Sequence, residues 1–130
     1  MDVVAPAARA SAYLLEEKEA LAREITRRLY RVLPGLLDKY GDYGREKCLQ
    51  DMRYNLEHLA PAVDLEQPEM FAGYVRWLDG LLRARNVATD ELLRALELTG
   101  EVLAERLTAD EQASVQSCVR AGTAALGGGR

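Results

Sequence analysis

Apolar residues return at spacings of three, four and seven along nearly the whole chain, and no segment alternates with the period of two that a half-buried strand requires. That pattern confines the chain to an all-α fold. Leu14, Leu21, Ile25, Leu29 and Val32 form the first stripe, with Ser11 placed to cap one long helix and residues 1–9 read as a loose arm. Pro34-Gly35 interrupts this helix, Leu36-Leu37 starts a short turn, and Gly41 and Gly44 bracket a bend. The next helix carries Cys48, Met52, Leu56 and Leu59 on one face and is expected to stop before Pro61. Pro68 suits the first turn of a fourth helix with the stripe Phe71, Tyr74, Val75, Leu78, Leu81 and Leu82. Thr89-Asp90 opens a fifth helix running through Leu92, Leu96, Leu103 and Leu107. The capping box Thr108-Ala109-Asp110-Glu111 opens the last, whose inward face is Val115, Cys118, Val119 and Gly122. Residues 126–130, rich in glycine, read as a flexible tail. The expectation is a single domain over residues 1–130, a compact packing of five to seven helices.

Composition narrows the function classes. The net charge is -4, which disfavours general nucleic-acid binding because a polyanion demands a basic face. No apolar run approaches the roughly 18 residues of a membrane span. The first residues, Met1-Asp2-Val3-Val4-Ala5-Pro6, have no basic region ahead of an apolar stretch, so no secretory signal is expected. Two cysteines far apart in sequence, Cys48 and Cys118, then read as reduced thiols in a cytoplasmic protein. No phosphate-cradling glycine loop, metal-ligand spacing or nucleophile elbow is present in the sequence. We therefore assign no enzymatic activity, no catalytic residue and no metal ligand. The first helix carries charged pairs at helical spacing, Glu19 with Arg23 and Glu24 with Arg28. They read as a solvated face, with a homodimer interface as the alternative.

Chemistry concentrates in the run from Lys47 to Leu56. At helical spacing Cys48, Asp51, Asn55 and His58 share one stripe beside the apolar stripe Met52, Leu56 and Leu59. A thiol is a nucleophile toward an unsaturated ligand, and a carboxylate one turn away accepts hydrogen bonds from that ligand's N–H groups. Taken alone, the same residues also suit an ordinary core helix, with Cys48 a small buried hydrophobe and Asp51 paired to Lys47 or Arg53.

The string Lys47-Cys48-x-x-Asp51-Met52-x-Tyr54-x-Leu56 resembles the chromophore helix of phycobiliproteins. The resemblance extends more weakly through Ala62-Val63 and Phe71-Ala72-Gly73-Tyr74, and spans about residues 40–98. It implies a globin-like packing and a bilin cofactor, a linear tetrapyrrole of the phycocyanobilin or biliverdin type. In that frame Cys48 matches the thioether cysteine, Asp51 the partner of the pyrrole nitrogens and Tyr54 a pocket tyrosine. Gln50 stands where the family has an arginine for a propionate, which leaves Arg53, Arg76 or another base for that task. The missing N-terminal extension makes the chain less like an antenna subunit than like the bilin-biosynthesis-associated globins of bacteria. Helical domains that precede cobalamin-binding modules in bacterial regulators are similar too.

The resemblance implies cofactor contacts from Cys48, Asp51, Tyr54, Asn55, His58, Arg53, Tyr74 and Trp77, with Lys47, Arg45 and Arg53 favouring the Cys48 thiolate. Trp77 reads first as core or core-edge packing and second as a stacking contact. Haem is the rival ligand, with His58 as the chain's single histidine. The alternative of a different class is a ligand-free sensory or dimerisation domain of the non-haem globin kind. A groove flanked by Tyr54 and Tyr74 with Cys48 and Asp51 in its wall would favour the bilin; a closed core would favour the interaction domain.

Overall fold

A computed structural model describes residues 4–127, which form six helices: α1 (Pro6–Glu16), α2 (Lys18–Val32), α3 (Leu36–Asp64), α4 (Pro68–Ala84), α5 (Thr89–Arg106) and α6 (Ala109–Gly127). No strand occurs among the described residues, so the fold is all-α. All six helices contribute to one core, in which Leu14, Ile25, Leu56, Phe71, Leu96 and Val115 are fully buried. Among the described residues no helix is long and apolar enough to cross a membrane.

The apolar stripes account for which helix faces turn inward, and several boundaries depart from expectation. Residues 6–9 are not a loose arm: Pro6 occupies the first turn of α1, where its missing N–H costs nothing. Ala7 and Ala10 are buried there, and Arg9 reaches Asp110 at 2.7 Å and Glu111 at 3.2 Å, tying the chain start to α6. Ser11 caps nothing; it lies buried inside α1. The expected single first helix is broken at Glu17, whose N–H still reaches the Tyr13 carbonyl at 2.9 Å while its own carbonyl accepts from Leu21. Val32, placed in the apolar stripe, is 39% exposed.

The α3 helix also runs through Pro61 rather than stopping before it. The proline removes one donor, but Ala62 and Val63 are fully buried and anchor the last turn, and the Leu65 N–H closes it on the Pro61 carbonyl at 3.0 Å. Near its start α3 is kinked at Gly41, which sits at φ 71, a left-handed conformation that costs glycine little. The capping box at Thr108 forms in part, with the Thr108 N–H donating to Glu111 Oε1 at 2.9 Å. Leu126 and Gly127 close α6, and the rest of the expected tail, 128–130, lies outside the described residues.

Two helix contacts position the functional region. Arg53 on α3 donates through Nε and Nη2 to Glu19 on α2 at 2.7 and 2.8 Å, and Lys18 pairs with Glu57 at 2.5 Å. On the far side, α4 presses on α6 so closely that a Cβ at Gly122 would stand 2.8 Å from the Phe71 ring. The α3 helix is thus held against α2 by charge pairs along one flank while its N-terminal half stays open.

Candidate functional site

The open half of α3 forms one wall of a cavity of about 480 Å³. The cavity is bounded by Leu29 and Tyr30 of α2, Leu82 of α4, Arg85 and Val87 of the following loop, and Glu91, Leu92 and Ala95 of α5. From α3 come Leu36, Tyr40, Tyr43, Gly44, Lys47, Cys48, Asp51 and Met52. The kink at Gly41 sets off the first turn of α3, and Tyr40, just before it, lines the cavity and donates its hydroxyl proton to Glu91 Oε2 at 2.8 Å. Lys39 Nζ adds a 3.0 Å contact to the same carboxylate. Walls of aliphatic and tyrosine side chains with a few charged groups are the usual make-up of a small-molecule site.

The eight residues expected to contact a cofactor divide into two groups. Cys48 and Asp51 line the cavity. The remaining six do not. Arg53 is committed to Glu19. Tyr54 is 46% exposed and accepts a hydrogen bond from Gln50 at 3.2 Å. Asn55 is buried at 2% exposure, accepting from the Tyr74 hydroxyl at 2.7 Å, so both close on each other between α3 and α4. His58 is exposed, stacks on Tyr74 with ring centroids 4.0 Å apart, and holds Nδ1 at 2.9 Å from the Tyr54 carbonyl. Trp77 is 61% exposed, so neither core packing nor the cavity accounts for it. The physical reason is geometric: α3 meets α4 at Asn55, which closes Asn55 and Tyr74 on each other, while Tyr54, His58 and Trp77 lie on outer faces away from the cavity. Cys48 and Asp51 do line a groove, but the tyrosines flanking it are Tyr30, Tyr40 and Tyr43 rather than Tyr54 and Tyr74.

Electrostatics overturns one further expectation. Burial pushes the Cys48 thiol up to about 12, and the Asp51 carboxylate adds to the rise. The neighbouring Thr26 hydroxyl and Arg45 oppose it without prevailing. The resting thiol is therefore neutral and a weak nucleophile. The Arg45 guanidinium lies over the Tyr30 ring at 5.2 Å, and Arg53 is turned to Glu19. Neither cation makes the thiolate.

Asp51 is the more informative group. Burial raises its carboxyl above the ordinary value, with Arg85 and Lys47 pulling the other way. Among the described residues it makes no ion pair and no side-chain hydrogen bond, although ion pairs satisfy many of the other charges, from Arg9 with Asp110 to Arg94 with Glu97.

 A half-buried carboxylate that opens into a cavity with two cations nearby and no partner of its own is an acceptor held ready for something else. Arg85 and Lys47 stand in the same wall. Among the described residues Lys47 is engaged only by Gln50, at 3.5 Å. Arg53 and Arg76, the bases expected to meet a carboxylate ligand, are occupied: Arg76 lies 3.5 Å from Glu69.

Sequence reasoning missed Tyr30, Tyr40, Arg85 and Glu91. Tyr30, Arg85 and Glu91 come from other segments and Tyr40 from the far side of the Gly41 kink in α3, so only tertiary packing brings them to the Cys48 run. The one local signal was the pair Gly41 and Gly44, which marked a bend without showing what it would cover. Among the described residues no group of three or more histidine, cysteine or acidic side chains is placed to hold a metal ion. No protein-family model matches the chain, and no curated protein matches it.

Proposed function

We propose that the cavity binds a linear tetrapyrrole of the bilin class, held without a covalent bond in the resting protein. The observation that carries this reading is the unpartnered Asp51 carboxylate, half-buried in a cavity of about 480 Å³ beside a thiol. The residues present suit such a group in kind. Asp51 would accept from the inner pyrrole N–H groups, and its charge would favour their protonated form. Lys47 and Arg85 would meet the propionates. Tyr30, Tyr40 and Tyr43 offer flat walls to a conjugated chain. When bound, the pigment supplies visible absorption and photochemistry, while the protein supplies geometry and electrostatics.

Three acts belong to the protein's own residues. Asp51 orients the ligand by fixing where its donors point. The Tyr40–Glu91 hydrogen bond ties α3 to α5 and holds two walls of the cavity together. The neutral Cys48 thiol packs against the ligand, and its conversion to thiolate is opposed by the adjacent Asp51 charge. The haem alternative has less support, because His58 stands outside the cavity and stacks on Tyr74.

The test is an absorption spectrum of protein purified after co-expression with a haem oxygenase and a bilin reductase, followed by acid-urea denaturation. Coloured protein that releases its pigment on denaturation is expected. Pigment retained in acid urea would overturn the non-covalent part of the reading, and a colourless protein would overturn bilin binding itself.

A further inference from the structure

One wall of the cavity is a single layer of chain. In the turn Leu36–Tyr40 that begins α3, Leu36 and Tyr40 line the cavity, while Leu37, Asp38 and Lys39 are exposed to solvent. The backbone breaks on both sides of this turn. Pro34-Gly35 separates it from α2, and Gly41, at φ 71 and ψ -173, separates it from the rest of α3. A short turn with a glycine at each end moves as a unit, because the two joints take up the change in φ and ψ.

Against α5 the turn is held by side chains alone. Among the described residues no Cα of α3 comes within 8 Å of a Cα of α5. The gap is spanned at one carboxylate: Tyr40 donates its hydroxyl proton to Glu91 Oε2 at 2.8 Å, and Lys39 Nζ lies 3.0 Å from Oε1. The Asn86 carbonyl, 3.4 Å from the same hydroxyl, is the longer alternative acceptor. The two glycines of the bend have different tasks. Gly41 has no atom within 4 Å of where a Cβ would stand, so its left-handed φ, and not lack of room, calls for glycine. At Gly44 a Cβ would collide with the Tyr40 side chain, so glycine there lets Tyr40 take its seat toward Glu91. One glycine makes the joint, and the other permits the latched position.

We propose that the turn Leu36–Tyr40 is a gate to the cavity, hinged at Gly35 and Gly41 and latched on Glu91 through Tyr40 and Lys39. When the latch parts, the turn moves away from α5 and the cavity meets solvent; when the latch re-forms, the wall is whole again. Local openings of this kind are drawn from segments with few buried contacts, and this turn buries only Leu36. The gate serves whatever the cavity holds, so it goes beyond the bilin reading and does not rest on it.

The two cysteines of the chain supply the test. Cys48 lines the cavity and reports the gate, whereas Cys118 is fully buried in the core, outside the cavity wall, and reports opening of the whole fold. The full chain is labelled with dithiodipyridine, and the rate at each cysteine is read by peptide mass. Tyr40→Phe keeps the ring and removes the latching hydroxyl. It should speed labelling of Cys48 about tenfold, the effect of losing one hydrogen bond to a charged acceptor, and leave Cys118 unchanged. Gly44→Ala, which unseats Tyr40 by a different route, should also speed Cys48 and spare Cys118. An unchanged Cys48 rate in either variant overturns the gate. So does a rise at Cys118 in step with Cys48, which would mean general loosening. The assay contains no pigment, so a failed gate and a failure of bilin binding are separate results.

Discussion

The two ends of the α3–α4 crossing are built by opposite rules. Beyond Asn55, the helices close without spare room: the Phe71 ring rests where a Gly122 side chain would be, and the Asn55 amide and Tyr74 hydroxyl satisfy each other. Before Asn55, α3 bends at Gly41, leaves a cavity, and turns an unpartnered carboxylate into it. Packing of the first kind fixes the fold. Space and unspent charge of the second kind destabilise a folded chain slightly, and proteins keep them where a ligand completes them. Position on the helix, more than residue type, separates a structural polar group from a candidate binding one: Asn55 and Asp51 are four residues apart.

The contrast is broken most strongly by adding side chains at each end. Gly122→Val should cost about 3 kcal/mol, because Phe71 and Val75 must shift in a close-packed region. Ala95→Leu adds the same number of heavy atoms, yet they face the cavity that Ala95 lines, and it should cost less than about 1 kcal/mol. Urea denaturation of the two variants measures both. Equal penalties would mean that the cavity has no room to give.

A smaller effect sharpens the electrostatic side. The folded protein holds the Asp51 proton more tightly than the unfolded chain does, so the native state binds more protons and stability falls as pH rises through the carboxylate range from 3.8 upward. Asp51→Asn should remove that part of the decline and match or exceed wild-type stability at neutral pH. Chemical denaturation across pH 4 to 7, compared between the two proteins, is the check; the same slope in both would assign Asp51 a stabilising partner. Cys48 behaves alike at higher pH. Its contribution is lost between the ordinary thiol value of 9.0 and about 12.

The smallest effect belongs to the surface network in which Arg28 meets Glu24 at 2.7 Å and Glu105 at 2.6 Å. Arg28→Ala should lower the denaturation midpoint only slightly, and high salt should erase the difference, as for other exposed pairs. A large, salt-insensitive loss would mean that the α2–α5 contact depends on it.

How far these features could be read in advance follows from how local they are. Helix starts were legible where one residue's backbone chemistry decides them: Pro68 at a first turn, the Thr108–Glu111 box, and the Pro34-Gly35 break. Boundaries set by tertiary packing were not. The interruption at Glu17 has no glycine or proline to announce it, and Pro61 stays within α3 because Ala62 and Val63 are needed in the core. The candidate site divides the same way. Cys48 and Asp51 were legible because one helical turn joins them, and their far wall was not, because Tyr30, Arg85 and Glu91 arrive from α2, the loop after α4, and α5.

The most direct test of the account is a biliverdin titration of the wild type, Asp51→Asn and Ala95→Leu, followed by absorption. The account predicts saturable binding to the wild type with an intensified long-wavelength band. That band should weaken and shift to the blue in Asp51→Asn, and binding should weaken when Ala95→Leu narrows the cavity. No saturable change with the wild type, or an identical response from all three proteins, would contradict it.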